Sequence, residues 1–125
     1  MARYARIATI SMSGGSGDTV AERTRTAVDR AVANIDRAAA DSPDIIVLPE
    51  TFTGLGCGTE MWLATAEPVP GPTYERLAER ARRHNCHIVC PIVRQDGPRT
   101  YNSAILIGRD GGVIGVYDKM HPTVS

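Results

Sequence analysis

The first half of the chain alternates between short apolar runs and one amphipathic stripe. Residues 45–48 are an unbroken apolar run, which is typical of a strand covered on both faces. Residues 3–11 alternate weakly around two isoleucines and predict an earlier strand. Between them, apolar residues recur at the spacing of one helix face, namely Val28, Ala31, Val32, Ile35 and Ala38 or Ala39. This part of the chain therefore predicts a strand, a helix and a second strand.

Local signals mark both ends of the predicted helix. Thr19 followed by Glu22 fits a capping box, in which each side chain satisfies a free backbone N–H of the other residue. Residues 41–43, Asp-Ser-Pro, end the helix because proline cannot continue it. The predicted strand at residues 45–48 therefore follows directly after the end of the helix.

The second half of the chain predicts one more helix and three strands. The helix covers residues 72–85, with a proline suited to its first position and Asn85 suited to a left-handed C-cap. Apolar segments predict strands at residues 86–93, 100–107 and 113–117. Residues 109–112, Arg-Asp-Gly-Gly, are a strong hairpin signal between the last two. The order β-α-β-loop-α-β-β-β indicates the α/β class.

Composition narrows the class of protein. The 125 residues fit one domain, and 42% hydrophobic with 22% charged residues is a globular composition. Fourteen basic residues balance fourteen acidic ones, so no global charge favours nucleic acid or an anionic membrane as a partner. The three cysteines have no disulfide-framework spacing, and apolar runs are too short to span a bilayer. We therefore expect a soluble cytoplasmic protein.

Two segments suggest a cofactor or a metal and are better explained otherwise. The glycine-rich loop at residues 13–17 has neither a G-x-G-x-x-G pattern nor a Walker lysine, so we expect a plain connection and no cofactor. Residues 84–90 contain two histidines and two cysteines, which look like a zinc cluster. If Cys86 and Cys90 lie in one strand, however, they are about 13 Å apart. We therefore expect buried structural thiols and no metal.

An acid and a lysine each follow a predicted strand. Glu50 comes directly after the apolar run and Pro49, at the kind of strand end where open α/β sheets place ligands. Lys119 lies just beyond the last strand. Taken singly, Glu50 is equally well a solvated loop acid and Lys119 a surface lysine. Taken together, they suggest an acid and a base in one cleft, because a lysine held there would need an acidic partner.

Cys57 is the cysteine nearest to Glu50 in the sequence. It lies between two glycines, seven residues after that acid, and could in principle act as a nucleophile. No neighbouring Lys, Arg or His would stabilise its thiolate, so a plain loop thiol is the favoured interpretation.

Three motifs come in the order found in one family. They are P-E-T-F at residues 49–52, Y-N-S-A at 101–104 and Y-D-K-M-H-P at 117–122. In this respect the chain resembles the nitrilase, or carbon–nitrogen hydrolase, superfamily. The resemblance implies a four-layer α-β-β-α sandwich and a Glu-Lys-Cys triad. It implies Glu50 as the general base and Lys119 as the cation that stabilises the tetrahedral intermediate.

The same resemblance implies supporting roles for Tyr101, Asn102 and His121, whose alternative interpretation is core packing. It also reveals a departure, because the family's cysteine lies downstream of the lysine and none of the three cysteines in this chain matches it. We therefore interpret residues 1–125 as a single carbon–nitrogen hydrolase domain, truncated at its C-terminal side to about half.

The function implied is hydrolysis of a small-molecule amide, nitrile or carbamoyl compound at a non-peptide C–N bond. Without a nucleophile we expect the 125-residue chain to be inactive alone. The alternative is a non-catalytic half-domain that assembles with another chain. Half a sandwich leaves apolar surface and strand edges uncovered, so we also expect a homo-oligomer.

Overall fold

The computed structural model describes residues 2–121. Its elements in chain order are β1 (Ile7–Thr9), α1 (Val20–Ala39), β2 (Ile45–Val47), a 3-10 helix (Phe52–Gly54), α2 (Thr59–Ala64), α3 (Pro72–His84), β3 (His87–Asp96), β4 (Arg99–Ile107) and β5 (Val113–Asp118). The predicted order of strands and helices is confirmed. The short helix α2, around Trp62, is an addition to that order.

One mixed sheet contains the five strands in their chain order. The first three are parallel, with Ile7 opposite Ile45 and Ile45 opposite His87. β4 runs antiparallel to β3, and β5 runs antiparallel to β4. Because the direction reverses twice after β3, the carboxyl ends of β2 and β5 lie at the same edge of the sheet. Residues that follow these two strands can therefore meet.

Helix α1 begins with the predicted capping box. The Thr19 hydroxyl accepts the Glu22 N–H at 3.1 Å, and the Glu22 carboxylate accepts the Thr19 N–H at 3.2 Å. Such a cap stabilises a helix by about 1 kcal/mol. At the end of α3, Asn85 adopts the predicted left-handed conformation, with φ of 50°.

The core lies between the sheet and a layer formed by α1 and α3. Alternate residues of the long strands face it and are fully buried, namely Ile88, Cys90, Ile92, Ile105 and Ile107. The helices contribute the predicted stripe of α1 and Tyr74, Leu77, Ala78 and Ala81 of α3. Phe52 of the 3-10 helix completes the same cluster, which places the segment after Glu50 against the core.

Within residues 2–121, the apolar run at residues 45–48 is covered on one face only, which differs from the expectation of a strand covered on both faces. Ile46 and Leu48 are buried, whereas Ile45 and Val47 are only half-buried. The reason is that α1 and α3 pack on the same side of the sheet. The apolar residues of β5 are also exposed to solvent, namely Ile114 (57%), Val116 (46%) and Tyr117 (61%). The described residues thus form two of the four layers expected.

The segment that resembles a zinc cluster is dispersed in the structure. Cys86 precedes β3 rather than lying within it, a correction to the predicted strand at residues 86–93, and both Cys86 and Cys90 are buried. His84 points instead to α1, where its Nε2 lies 2.7 Å from Asp36 Oδ1. Over residues 2–121, no group of three or more His, Cys, Asp or Glu side chains could hold a metal ion.

No helix in the described range is both long enough and apolar enough to cross a membrane. Pro122, the last residue of the third motif, lies outside the described residues.

Candidate active site

Glu50 stands where the chain leaves β2 and turns sharply. Ladder pairing ends beyond Leu48, whose N–H donates to the Val89 carbonyl at 3.4 Å, and Pro49 has no N–H to continue it. Thr51 then adopts a left-handed conformation with φ of 43°. The indole of Trp62 donates to the Thr51 hydroxyl at 3.0 Å. The backbone around Glu50 is therefore fixed on both sides.

Lys119 continues the pairing of β5 with β4 by one residue. Its N–H donates to the Asn102 carbonyl at 2.8 Å, beyond the last residue of β5. From this anchored position its Nζ lies 2.9 Å from Glu50 Oε1. The structure thus brings together two residues that are 69 positions apart in the chain.

Asn102 contacts both members of this pair. Its side-chain Nδ2 donates to Glu50 Oε1 at 2.8 Å, while its main-chain carbonyl accepts the Lys119 N–H. Asn102 therefore links the end of β2 to the end of β5 across the sheet.

The charge state of Glu50 follows from these contacts. The hydrogen bond from Lys119, and then that from Asn102, lower the pKa of Glu50, against a smaller opposing effect of burial. The carboxylate is therefore ionised at neutral pH. The Glu50 and Lys119 side chains are 61% and 36% exposed, and such solvent-exposed pairs stabilise a fold by at most about 1 kcal/mol. Stability alone gives little reason for this arrangement.

Tyr101 and His121 are the other two residues to which the family resemblance gives supporting roles. The Tyr101 ring packs beneath the Arg94 guanidinium, 4.9 Å from its centroid, and His121 is exposed. Among the hydrogen bonds of residues 2–121, none joins either side chain to Glu50 or Lys119. Their supporting role remains a prediction.

The three cysteines differ in environment. Cys86 and Cys90 are fully buried, and burial raises the pKa of both thiols, which disfavours the reactive thiolate. Cys57 is half-buried in the loop after the 3-10 helix, where its N–H donates to the Gly54 carbonyl at 3.1 Å. In the part of the chain that the structure describes, no cysteine thiol is hydrogen-bonded to Glu50.

A second polar cluster next to Lys119 was not predicted from the sequence. Arg94 Nη2 lies 3.0 and 3.2 Å from the two carboxylate oxygens of Asp118, and the Ser103 hydroxyl donates to the same carboxylate at 2.5 Å. The Ser103 and Arg94 hydrogen bonds lower the pKa of Asp118, although burial opposes them. The sequence does contain a signal for this cluster. Arg94 directly follows buried apolar residues, and a charged side chain at such a position requires a partner of opposite charge.

Comparison with known proteins identifies the family. A family model described as carbon-nitrogen hydrolase matches residues 6–124. β-Ureidopropionase of Arabidopsis thaliana is 35% identical over 106 residues, and the match covers 80% of this chain and 26% of the relative. Nitrilase 3 of the same plant is 29% identical over 133 residues, and the match covers 92% of this chain and 38% of the relative.

A solved structure from the same superfamily has a similar fold. XC1258 from Xanthomonas campestris, a CN-hydrolase superfamily protein, superimposes with a TM-score of 0.76 at 26% identity, covering 94% of this chain and 41% of that one. The predicted α/β fold of the nitrilase type is thereby confirmed. The chain spans well under half of the length of each of these three proteins. From its sequence match and its fold, this chain belongs to the carbon-nitrogen hydrolase family.

Proposed function

We propose that residues 1–125 are the N-terminal part of a hydrolase that cleaves non-peptide C–N bonds by a Glu-Lys-Cys mechanism. The observation that carries the proposal is the 2.9 Å contact between Lys119 Nζ and Glu50 Oε1 at the carboxyl ends of β5 and β2. The similarity to a β-ureidopropionase and a nitrilase supports a small-molecule amide, nitrile or carbamoyl compound as the substrate.

The two oxygens of Glu50 suit different tasks. Oε1 accepts hydrogen bonds from Lys119 and Asn102, which hold the carboxylate in place. Oε2 accepts none from residues 2–121, so it is open to receive the proton of a thiol. Glu50 is therefore the general base of this proposal.

The remaining steps follow from acyl-transfer chemistry. The thiolate attacks the substrate carbon, and the Lys119 ammonium stabilises the negative charge that develops on the tetrahedral intermediate. For an amide, the C–N bond breaks as Glu50 gives the thiol proton to the nitrogen, so the amine leaves and an acyl-thioester forms; the regenerated Glu50 carboxylate then takes a proton from the water that hydrolyses the thioester. Asn102 positions the pair, and Tyr101 and His121 retain the supporting roles implied by the family. No cofactor takes part.

The nucleophile is the residue that this chain does not supply. Burial of Cys86 and Cys90 argues against either of them, and Cys57 has no hydrogen bond to Glu50 among the described residues. Full activity in this proposal belongs to a longer protein in which a further cysteine follows Lys119. The three free thiols support a reducing, cytoplasmic setting.

Turnover assays test the proposal directly. The 125-residue chain is assayed with an amide, a nitrile and a carbamoyl compound, beside the product of any longer reading frame that contains it. We expect activity only in the longer product, and Lys119→Met should reduce its kcat by about 100-fold to 1,000-fold, the range for loss of one oxyanion donor. Turnover by the 125-residue chain that Cys57→Ala abolishes would instead make Cys57 the nucleophile.

A second candidate is a non-catalytic half-domain that functions by assembly, including assembly with its own copies. The observation that favours it is the exposed apolar surface of β5. Sedimentation analysis of the 125-residue chain tests it, with self-association as the expected result. A monodisperse, cooperatively unfolding monomer would count against this candidate.

A further inference from the structure

Arg94, Ser103 and Asp118, which we call the Asp118 cluster, join three neighbouring strands. Arg94 is in β3, Ser103 is in β4, and Asp118 is the last residue of β5. Ser103 is directly opposite Asp118 in the ladder. The Ser103 side chain is buried, and only 15% of the Arg94 side chain is exposed. The cluster therefore joins β3, β4 and β5 through charge-assisted hydrogen bonds rather than apolar contacts.

Strand alternation relates this cluster to the Glu50–Lys119 pair. Asp118 and Lys119 are consecutive, as are Ser103 and Asn102, so each pair projects to opposite faces of the sheet. Ser103 lies on the face covered by the helices, where Ile105 and Ile107 are also buried. Asn102 and Lys119 lie on the other face. The cluster and the ion pair thus lie on opposite faces of the sheet, and they involve adjacent residues in β4 and at the end of β5.

The end of β5 has few other attachments. β5 is at the edge of the sheet, pairs only with β4 in the described structure, and has largely exposed side chains. Beyond the ladder, its last residue is held by Ser103 at 2.5 Å and by Arg94 at 3.0 Å. These contacts, together with the Lys119 N–H that donates to the Asn102 carbonyl at 2.8 Å, hold the strand end from which the long Lys119 side chain extends.

We propose that Arg94, Ser103 and Asp118 are positioning residues, which set the backbone at the end of β5 so that Lys119 reaches Glu50. This inference rests on the proposed function, in which Lys119 acts beside Glu50. None of the three side chains contacts the reacting atoms in this proposal. They act through Lys119, from the opposite face of the sheet.

The test is a carbon-13 NMR titration of the Glu50 carboxyl group in the 125-residue chain. Asp118→Asn preserves the size of the side chain but removes its charge. The direct effect of removing a negative charge would be to lower the pKa of Glu50, whereas withdrawal of Lys119 would raise it. We expect the pKa of Glu50 to rise toward its ordinary value. The opposite signs separate positioning from simple electrostatics.

A second variant serves if Asp118→Asn does not fold. Arg94→Lys keeps the charge but loses the planar guanidinium, whose Nε contacts the Ser103 hydroxyl at 3.3 Å while its Nη2 contacts Asp118, so it should also raise the pKa of Glu50. Asp29→Asn is the matched control, because it breaks an ion pair of 2.5 Å with Arg76 on the helix layer. This control should leave the titration of Glu50 unchanged.

Lys119→Met separates failure of this inference from failure of the proposed function. If Lys119→Met raises the pKa of Glu50 while folded Asp118→Asn and Arg94→Lys leave it unchanged, the positioning role is overturned and the proposed function stands. If Lys119→Met itself has no effect, the ion pair is absent in solution and both proposals fail.

Discussion

The Trp62 indole donates a 3.0 Å hydrogen bond to the hydroxyl of Thr51, the residue that follows Glu50. Thr51 is buried and has φ of 43°, a conformation that β-branched residues rarely adopt. The surrounding contacts must therefore stabilise it. Trp62 also lies against Gly54, where an added Cβ would meet its ring at 2.7 Å. Through Thr51, helix α2 supports the turn that presents Glu50.

Replacement of Trp62 by Phe should destabilise the fold. Phe retains an aromatic ring but leaves the buried Thr51 hydroxyl without its donor, which costs about 1–3 kcal/mol of the free energy of unfolding. Urea denaturation measures the change. Thr51→Ser is the control because it keeps the hydroxyl. In the Thr51→Ser background, Trp62→Phe should reduce the free energy of unfolding by as much as it does in the native chain. An unchanged free energy of unfolding for Trp62→Phe would show that the hydrogen bond does not stabilise this turn.

The two leucines Leu77 and Leu63 should respond differently to the same substitution. Leu77 of α3 is fully buried against the sheet, whereas Leu63 of α2 is 43% exposed. We expect Leu77→Ala to reduce the free energy of unfolding by about 2–5 kcal/mol, because it removes buried methyl groups and leaves a cavity. Leu63→Ala, the matched control, should cost less than about 1 kcal/mol. Equal losses in urea denaturation would contradict the assignment of the core.

The elements of this fold could be predicted because their signals are local. Thr19 and Glu22 form the capping box that the sequence indicates, and Asn85 takes the left-handed C-cap. The hairpin turn before β5 has Gly111 with φ of 83°, as an Asp-Gly-Gly segment favours. Short-range spacing carries all three signals, so no tertiary information was needed.

Other features depend on the assembled sheet and were missed. The half-buried state of Val47 follows from both helices packing on one side, which apolar runs do not encode. The contact between Ser103 and Asp118 depends on the register of β4 with β5. The proximity of Glu50 and Lys119 could be anticipated, because parallel strands bring their carboxyl ends to one edge, but the double contact made by Asn102 required the register as well.

The contribution of Glu50 to stability should depend on pH. Lys119 and Asn102 lower its pKa in the folded state, so this stability is fully present above the ordinary glutamate pKa and disappears as the pH falls through the lowered value. At about pH 7 we expect the free energy of unfolding of the native chain to exceed that of Glu50→Gln by less than about 1 kcal/mol, because the ion pair is exposed. Below the lowered pKa of Glu50 the difference should vanish.

Urea denaturation across this pH range measures the effect. The control is the same comparison in the Lys119→Met background, where Glu50 has lost its cationic partner and the difference at about pH 7 should be smaller. If the difference between the native chain and Glu50→Gln grew as the pH fell, Lys119 and Asn102 would not be stabilising the ionised carboxylate.

The exposed apolar side chains of β5 should drive self-association. Ile114 and Val116 are 57% and 46% exposed on a strand at the edge of the sheet, where backbone groups are open to pairing with another chain. Lysine on such an edge opposes pairing, because association would bury its charge or repel the same residue in the partner. Ile114→Lys and Val116→Lys should therefore weaken self-association by at least about tenfold, which corresponds to about 1.4 kcal/mol.

Sedimentation velocity over a range of protein concentrations measures this weakening. Leu63→Lys places the same charge on a comparably exposed apolar residue of α2, away from the sheet, and provides the matched control. Association that resists both β5 substitutions but is lost in Leu63→Lys would move the interface to the helix. Equal weakening by all three would indicate net charge rather than β5 as the cause, because each adds one positive charge to a chain with fourteen basic and fourteen acidic residues.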